Sequence, residues 1–164
     1  AIRFANEGYD VLAIDLQEQK LQQLKVELAQ GSHEVLCGSI ADENTINKAK
    51  KLITQKWNRL DVLVNCAGLF RKSDPVTMNI AEWRETFDIM INGCLMTSRL
   101  ATEFMHKGGR MIHITSIHGE RGEHRVRQVD EQHAERQEEL ADQDDTPAVV
   151  LVRHVPRRQR DRAH

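Results

Sequence analysis

An α/β fold, a doubly wound parallel sheet with helices on both faces, is what this sequence of 164 residues predicts. Two observations carry the prediction. Short apolar runs recur at 10–16, 34–37, 60–65 and 110–115, and the segments between them place apolar residues at helical spacing. Parallel neighbours need crossover connections, so strands that alternate with helices of this length specify a parallel sheet covered on both sides.

Each element has a local reason. Ala1, Ile2, Phe4 and Ala5 form a short apolar face that stops at Asn6-Glu7-Gly8, with Gly8 suited to the left-handed position past a helix end. Asp10 to Leu16 is nearly continuous in apolar residues, the mark of a strand buried on both faces. Gln17 to Gln30 carries Leu21, Leu24 and Leu28 at helical spacing, and Gly31 stops it. Glu34–Cys37 is the next strand. Asp42 caps a helix whose Ile46, Ala49, Ile53 and Trp57 keep the same rhythm. Leu60–Asn65 is a third strand, and a loop through Pro75 leads to a long helix expected over 80–106. Gly108-Gly109 is expected to end that helix before the strand 110–115.

Composition narrows the function classes. Lys and Arg number 23 against 25 Asp and Glu, so no overall field directs the chain to nucleic acid or to an anionic membrane. No run approaches the roughly 18 apolar residues of a spanning helix, and the opening AIRFANEGYD lacks the regions of a signal peptide. Cys37, Cys66 and Cys94 are odd in number and widely spaced, which argues against a disulfide framework or a paired-cysteine metal site. A reducing, cytoplasmic location is expected, with no metal.

In open parallel sheets ligands bind beyond the carboxyl ends of the strands, which directs attention to Asp15, Ser39, Asn65 to Gly68, and Ser116. A carboxylate at Asp15 can accept hydrogen bonds from both ribose hydroxyls of a dinucleotide and would oppose a 2′-phosphate, favouring NAD over NADP. With Asn65-Cys66-Ala67-Gly68 after an apolar strand and Thr115-Ser116-Ile117-His118-Gly119 after another, residues 1–122 resemble the short-chain dehydrogenase/reductase family. The resemblance implies an incomplete Rossmann-like sheet and an oxidoreductase that moves a hydride between nicotinamide and a small alcohol or ketone. It makes Asp15 the ribose-binding acid and Asn65, Cys66, Ala67 and Gly68 the cofactor-pocket turn. Asn92 is the mid-helix catalytic Asn, where the family's helix kinks, and Ser116 is the Ser that orients the substrate carbonyl.

Three departures qualify that picture. Ser39 stands where the family usually has an Asp that reads adenine, leaving the Ser39 hydroxyl and the Ile40 backbone N–H for that contact. The Gly-rich pyrophosphate loop of the family would lie upstream of Ala1, and the chain opens without Met inside what reads as a helix, as a fragment would. The family's Tyr-x-x-x-Lys acid/base pair is absent, since no Tyr follows Tyr9 and no Lys follows Lys107. The chain as numbered is therefore expected to lack turnover. The alternative from another class is a non-enzymatic binding protein that pairs with a second copy through the helix 80–106.

Composition breaks near residue 123. Residues 1–123 hold 8 Lys and 7 Arg, whereas 124–164 hold no Lys and 8 Arg. Eight acids crowd 130–145 against the single base Arg136, His133 has no oriented partner in its neighbourhood, and Arg157, Arg158, Arg160 and Arg162 close the chain. A poorly ordered charged tail is expected over 123–164, and a change of reading frame near codons 119–124 would account for the loss of Lys and of the catalytic helix together. In the strand order 3-2-1-4-5 that the resemblance implies, the strands at 10–16 and 60–65 would lack a neighbour between them. The spare apolar run 148–152 is expected to enter that slot or to lie beside 110–115.

Overall fold

The computed structural model describes residues 1–28, 31–69, 76–116 and 149–154. The acidic block 130–145, His133, the cluster Arg157–Arg162 and the loop through Pro75 fall outside the described residues.

Helix α1 (Ile2–Asn6) ends as its sequence demands, with Gly8 at φ 86° and its N–H bonded to the Ala5 carbonyl at 2.8 Å. Strand β1 (Tyr9–Asp15) leads to α2 (Glu18–Glu27), whose Leu21 and Leu24 are buried, and then to β2 (Glu34–Cys37). In α3 (Glu43–Lys56) the Asp42 side chain accepts the Asn44 N–H at 3.1 Å, and Thr45, Ala49 and Ile53 turn inward. Strand β3 is Leu60–Asn65.

The long helix expected over 80–106 is three pieces. Helix α4 (Ile80–Phe87) passes into a π-helical segment, Asp88–Gly93, and then into α5 (Cys94–Phe104). Met105 is already extended and opens β4 (Met105–His113) opposite Leu60. The pairing shifts between Leu60/Met105 and Val62/Arg110, so several residues of β4 stand against one of β3. Gly108 adopts φ 99° inside that bulge. The glycine pair is thus a bulge device within a strand rather than a helix stop, because the extra residues need a left-handed position that Gly accepts without strain.

The last described strand, β5 (Val149–His154), completes a five-stranded sheet in the order β2-β1-β5-β3-β4. It fills the position between β1 and β3 that was expected to be empty, and of the two placements open to the 148–152 run this is the one adopted. Four strands are parallel; β5 runs antiparallel to both neighbours, so the sheet is mixed rather than purely parallel. Residues 149–154 of the 123–164 segment form this strand, and the rest of that segment lies outside the described residues.

Cross-sheet rows show why these residues fit. Leu12, Leu151 and Leu63 stand side by side, each with no exposed surface. They belong to the larger core, built with Ala49, Ile53, Leu100 and Phe104 of α3 and α5. Val11, Val152 and Val62 form a row on the opposite face, as do Ala13, Val150 and Val64, against Leu21, Leu24 and Leu28. A strand buried on both faces needs apolar side chains at every position, which 149–152 supplies.

One ion pair holds the register. Arg153 of β5 donates through Nε to Asp10 Oδ2 at 3.2 Å and pairs with the same oxygen through Nη2, while the Ser32 N–H reaches Asp10 Oδ1 at 2.9 Å. Asp10 is buried, so this carboxylate depends on those donors.

Candidate nucleotide-binding edge and the Asn65 cluster

The carboxyl ends of the four parallel strands share one edge, and the sequence candidates gather along it. Asp15 closes β1 opposite Cys37 of β2. Its carbonyl accepts the Gly38 N–H at 2.9 Å, and its Oδ1 accepts the Gln17 N–H at 2.8 Å. The Ser39 hydroxyl accepts the Ala41 N–H at 3.2 Å, and its carbonyl accepts the Asp42 N–H at 3.1 Å, so Ser39 shapes the turn into α3. The Asn44 N–H beside Asp42, helped by the Thr45 hydroxyl, holds the Asp42 carboxyl below its ordinary value of 3.8.

Ile40 does something that its sequence position did not announce. Its side chain is buried and packs onto Gly93, where an added Cβ would lie 2.6 Å from Ile40 Cγ1. Gly93 thus lets the π segment approach the β2–α3 turn closely. The Ile40 side chain serves the core.

Asn65 ends β3 and joins three elements. Its carbonyl accepts the Ile114 N–H at 2.8 Å beyond β4, and the Thr97 hydroxyl of α5 donates to its Oδ1 at 2.9 Å. Its Nδ2 lies 3.5 Å from Cys94 Sγ and 3.2 Å from His113 Nδ1. Cys94 Sγ and His113 Nδ1 are 3.2 Å apart. Beyond Asn65, Cys66 is half-buried and Ala67 packs on the larger core. Gly68 is exposed, and a Cβ there would meet nothing within 4 Å.

Asn92 sits in the π-helical segment, exposed, with its Nδ2 donating to Asp88 Oδ1 at 2.7 Å. Segments with π geometry are rare and recur at functional sites because the wider turn frees a backbone group from the regular ladder. Ser116 lies three residues past the end of β4 and is exposed. Asn92 thus lies just before α5 and Ser116 just past β4, the two elements that Asn65 bridges.

Sequence reasoning missed Cys94, Thr97 and His113. They come from two elements, at separations of 29, 32 and 48 residues from Asn65, and no local spacing signals such a cluster. Among the described residues no group of three or more His, Cys, Asp or Glu is placed to hold a metal ion. No described helix is long and apolar enough to cross a membrane.

A nicotinamide dinucleotide can be tested against this edge. On the adenosine side of that edge, Asp15 presents a carboxylate beside the Gly38-Ser39 turn. The strand between β1 and β3 runs antiparallel. Its amino end, Val149, stands level with Ile14 and Asn65, and no described helix leads off that strand to offer backbone N–H groups to phosphate.

Comparison with known proteins sharpens this geometry. Residues 1–134 match the family described as enoyl-(acyl carrier protein) reductase. An uncharacterized oxidoreductase of Staphylococcus aureus is 30% identical over 115 residues, 69% of this chain and 50% of that protein. The 3-oxoacyl-[acyl-carrier-protein] reductase of Thermotoga maritima is 28% identical over 120 residues, 71% of this chain and 49% of its own length. The chain thus spans about half the length of these curated relatives. Among solved structures, a glucose/ribitol dehydrogenase of Brucella melitensis superposes with a TM-score of 0.70 at 18% identity, covering 75% of this chain and 53% of that one. A short-chain dehydrogenase of Burkholderia cenocepacia in complex with NADP gives 0.67 at 22%, covering 74% and 51%.

Proposed function

Because the chain belongs to the short-chain dehydrogenase/reductase family, we propose that it carries the adenosine-binding edge and part of the reaction centre of an NAD-dependent oxidoreductase acting on a small alcohol or ketone, and that these residues alone do not turn over. The observation that carries this reading is the central strand. Antiparallel β5 brings its amino end to the edge beside Asp15 and Ser39, which supports ribose and adenine contacts there without a pyrophosphate cradle from the described residues. Asp15 favours NAD, since its carboxylate accepts ribose hydroxyls and repels a 2′-phosphate. Asn65, Cys66, Ala67 and Gly68 border the pocket, Asn92 positions water from the π segment, and Ser116 orients the carbonyl. Loss of a general acid/base typically removes about 10²- to 10⁴-fold of rate, and the Tyr-x-x-x-Lys pair is missing from the sequence.

The test is titration of the 164-residue chain with NADH and NADPH, followed by assay with NAD and a panel of alcohols and ketones. Weak binding that prefers NADH and no turnover above background are expected. Steady NADH production that disappears in Ser116→Ala refutes the proposal of inactivity. A preference for NADPH refutes the role given to Asp15.

A second reading has its own observation. Ile80, Trp83, Phe87, Met90, Ile91 and Leu95 form an exposed apolar stripe along α4, the π segment and α5, with the Trp83 and Phe87 rings 4.9 Å apart. Contiguous apolar surface of this kind marks interaction sites. It supports a binding protein that pairs with a second copy through this face. A dimer by light scattering that Phe87→Glu converts to monomer, in a chain that binds no nucleotide, favours that reading over the first.

A further inference from the structure

We propose that Cys94 is a reactive thiol, assisted by His113, that forms mixed disulfides with small disulfide compounds at the carboxyl edge of the sheet. The inference stands on the Asn65 cluster and does not rest on the oxidoreductase reading.

Cys94 is the first residue of α5, and His113 is the last of β4. The fold brings Sγ to 3.2 Å from Nδ1 across 19 residues of sequence. A nucleophile and a base within hydrogen-bond reach, with a third group fixing the base, is the arrangement that activates a side chain for attack. Asn65 is that third group. Its Oδ1 lies 2.9 Å from the Thr97 hydroxyl, which also reaches the Gly93 and Cys94 carbonyls at 2.9 and 3.0 Å, and its amide NH2 faces the other two side chains. An amide NH2 can only donate, so the His113 Nδ1 that it approaches at 3.2 Å carries a lone pair. In the tautomer with the imidazole proton on Nε2, Nδ1 is the nitrogen that receives the Cys94 proton.

The same amide donates toward Cys94 Sγ at 3.5 Å and so favours negative charge on sulfur as it develops. Access is open on one side, with Cys94 half-buried and His113 exposed. Cys37 is the more exposed thiol, yet its Sγ contact is the Leu16 carbonyl at 3.5 Å, an acceptor that does nothing to stabilise a thiolate.

The step balances as thiol–disulfide exchange. Cys94 Sγ attacks one sulfur of the incoming disulfide, the new Sγ–S bond forms as the S–S bond breaks, and the electron pair leaves on the departing sulfur. The Cys94 proton passes to His113 Nδ1 and then to the departing thiolate or to water. The disulfide is reduced to one free thiol, and Cys94 is oxidised to a mixed disulfide.

The experiment treats the 164-residue chain with limiting dithiodipyridine and follows each cysteine by peptide mass over time. Cys94 should react at least about tenfold faster than Cys37 near neutral pH, although accessibility alone ranks them the other way. His113→Gln should slow Cys94 at least about fivefold with Cys37 and Cys66 unchanged. If Cys37 reacts first, or if folded His113→Gln keeps the Cys94 rate, the proposal fails. Should the variant unfold, seen as all three rates rising together, the wild-type ranking decides by itself.

Discussion

Truncating the middle of the central strand, Leu151→Ala, measures how firmly β5 is built into the sheet. Leu151 has no exposed surface and stands between Leu12 and Leu63, equally buried, in one row of the larger core. The substitution removes three carbons, worth about 2.4 kcal/mol at about 0.8 kcal/mol each. Leu12 and Leu63 are fixed to their own strands by backbone pairing, so the gap closes only in part. A cavity term brings the expected loss to about 3–4 kcal/mol, within the range of buried Leu→Ala changes. Against a total of about 5–15 kcal/mol, that is a large share of the stability of a domain this size. The assay is urea unfolding of both proteins at equal concentration, read from the shift in midpoint at unchanged slope. Leu95→Ala, on an exposed face, is the control and should cost under about 0.5 kcal/mol. A Leu151→Ala loss no greater than the control would refute the insertion of β5. Amide exchange gives an independent reading, since Leu12 and Leu63 should be among the slowest sites and should quicken together in the variant.

Four further expectations follow from particular contacts. Arg153→Ala leaves the buried Asp10 carboxylate with the Ser32 N–H and should cost about 2–3 kcal/mol in urea unfolding, below the loss for a dry pair because the Arg153 side chain is 24% exposed. The double variant with Asp10→Asn should recover part of that loss, and strict additivity would count against the pair. Gly93→Ala gains up to about 1 kcal/mol of helix propensity but drives a methyl group into Ile40, an overpacking cost of about 1–3 kcal/mol, so a net loss of stability is expected and a net gain would show that Ile40 moves aside freely. The Asp42 carboxyl is lowered in the fold, so its contribution is present above the unfolded value and fades as pH falls through the folded one; the Tm gap between wild type and Asp42→Ala should narrow below about pH 4, and a gap that widens there refutes the cap. Nucleotide sequence across codons 119–124 is expected to reveal a family-like continuation in another frame, and an intact frame in independent clones without one removes that explanation of the compositional break.

Local chemistry made much of this fold legible. Glu34–Cys37 and Leu60–Asn65 are bounded in sequence by turn residues and are strands with the expected limits. Asp42 caps α3 because its oxygen needs only the next turn of its own chain. Boundaries set by tertiary contact were not legible. The apolar rhythm of 80–106 is compatible with α and π geometry alike, and only the approach of Gly93 to Ile40 distinguishes the segment around Asn92. Helix α5 gives way to β4 at Met105 because Met105 pairs with Leu60, a partner 45 residues earlier. The direction of β5 was likewise invisible, since a run apolar on both faces suits either orientation. The Asn65 cluster lies beyond any local pattern: Cys94 and His113 acquire chemical meaning only when two elements meet.

The antiparallel sense of β5 bears on function more than its presence does. A strand of either direction would satisfy the backbone of β1 and β3 and fill both apolar layers, so the stability of the sheet imposes no choice. At the ligand edge the two directions differ. A parallel strand arrives there with its carboxyl end, and the turn that follows can point successive N–H groups and a helix N-terminus at phosphate. An antiparallel strand places its amino end there, level with Ile14 and Asn65, and spends the same backbone on entering the sheet. Sheet integrity in this arrangement therefore does not depend on which end of the strand meets the ligand edge. Substitutions at Leu151 or Arg153 should change unfolding without changing the preference between NADH and NADPH, whereas Asp15→Ala should change that preference with little effect on the core. A shift in nucleotide preference produced by folded Leu151→Ala would mean that β5 shapes the ligand edge directly and that the division of labour argued from its direction is wrong.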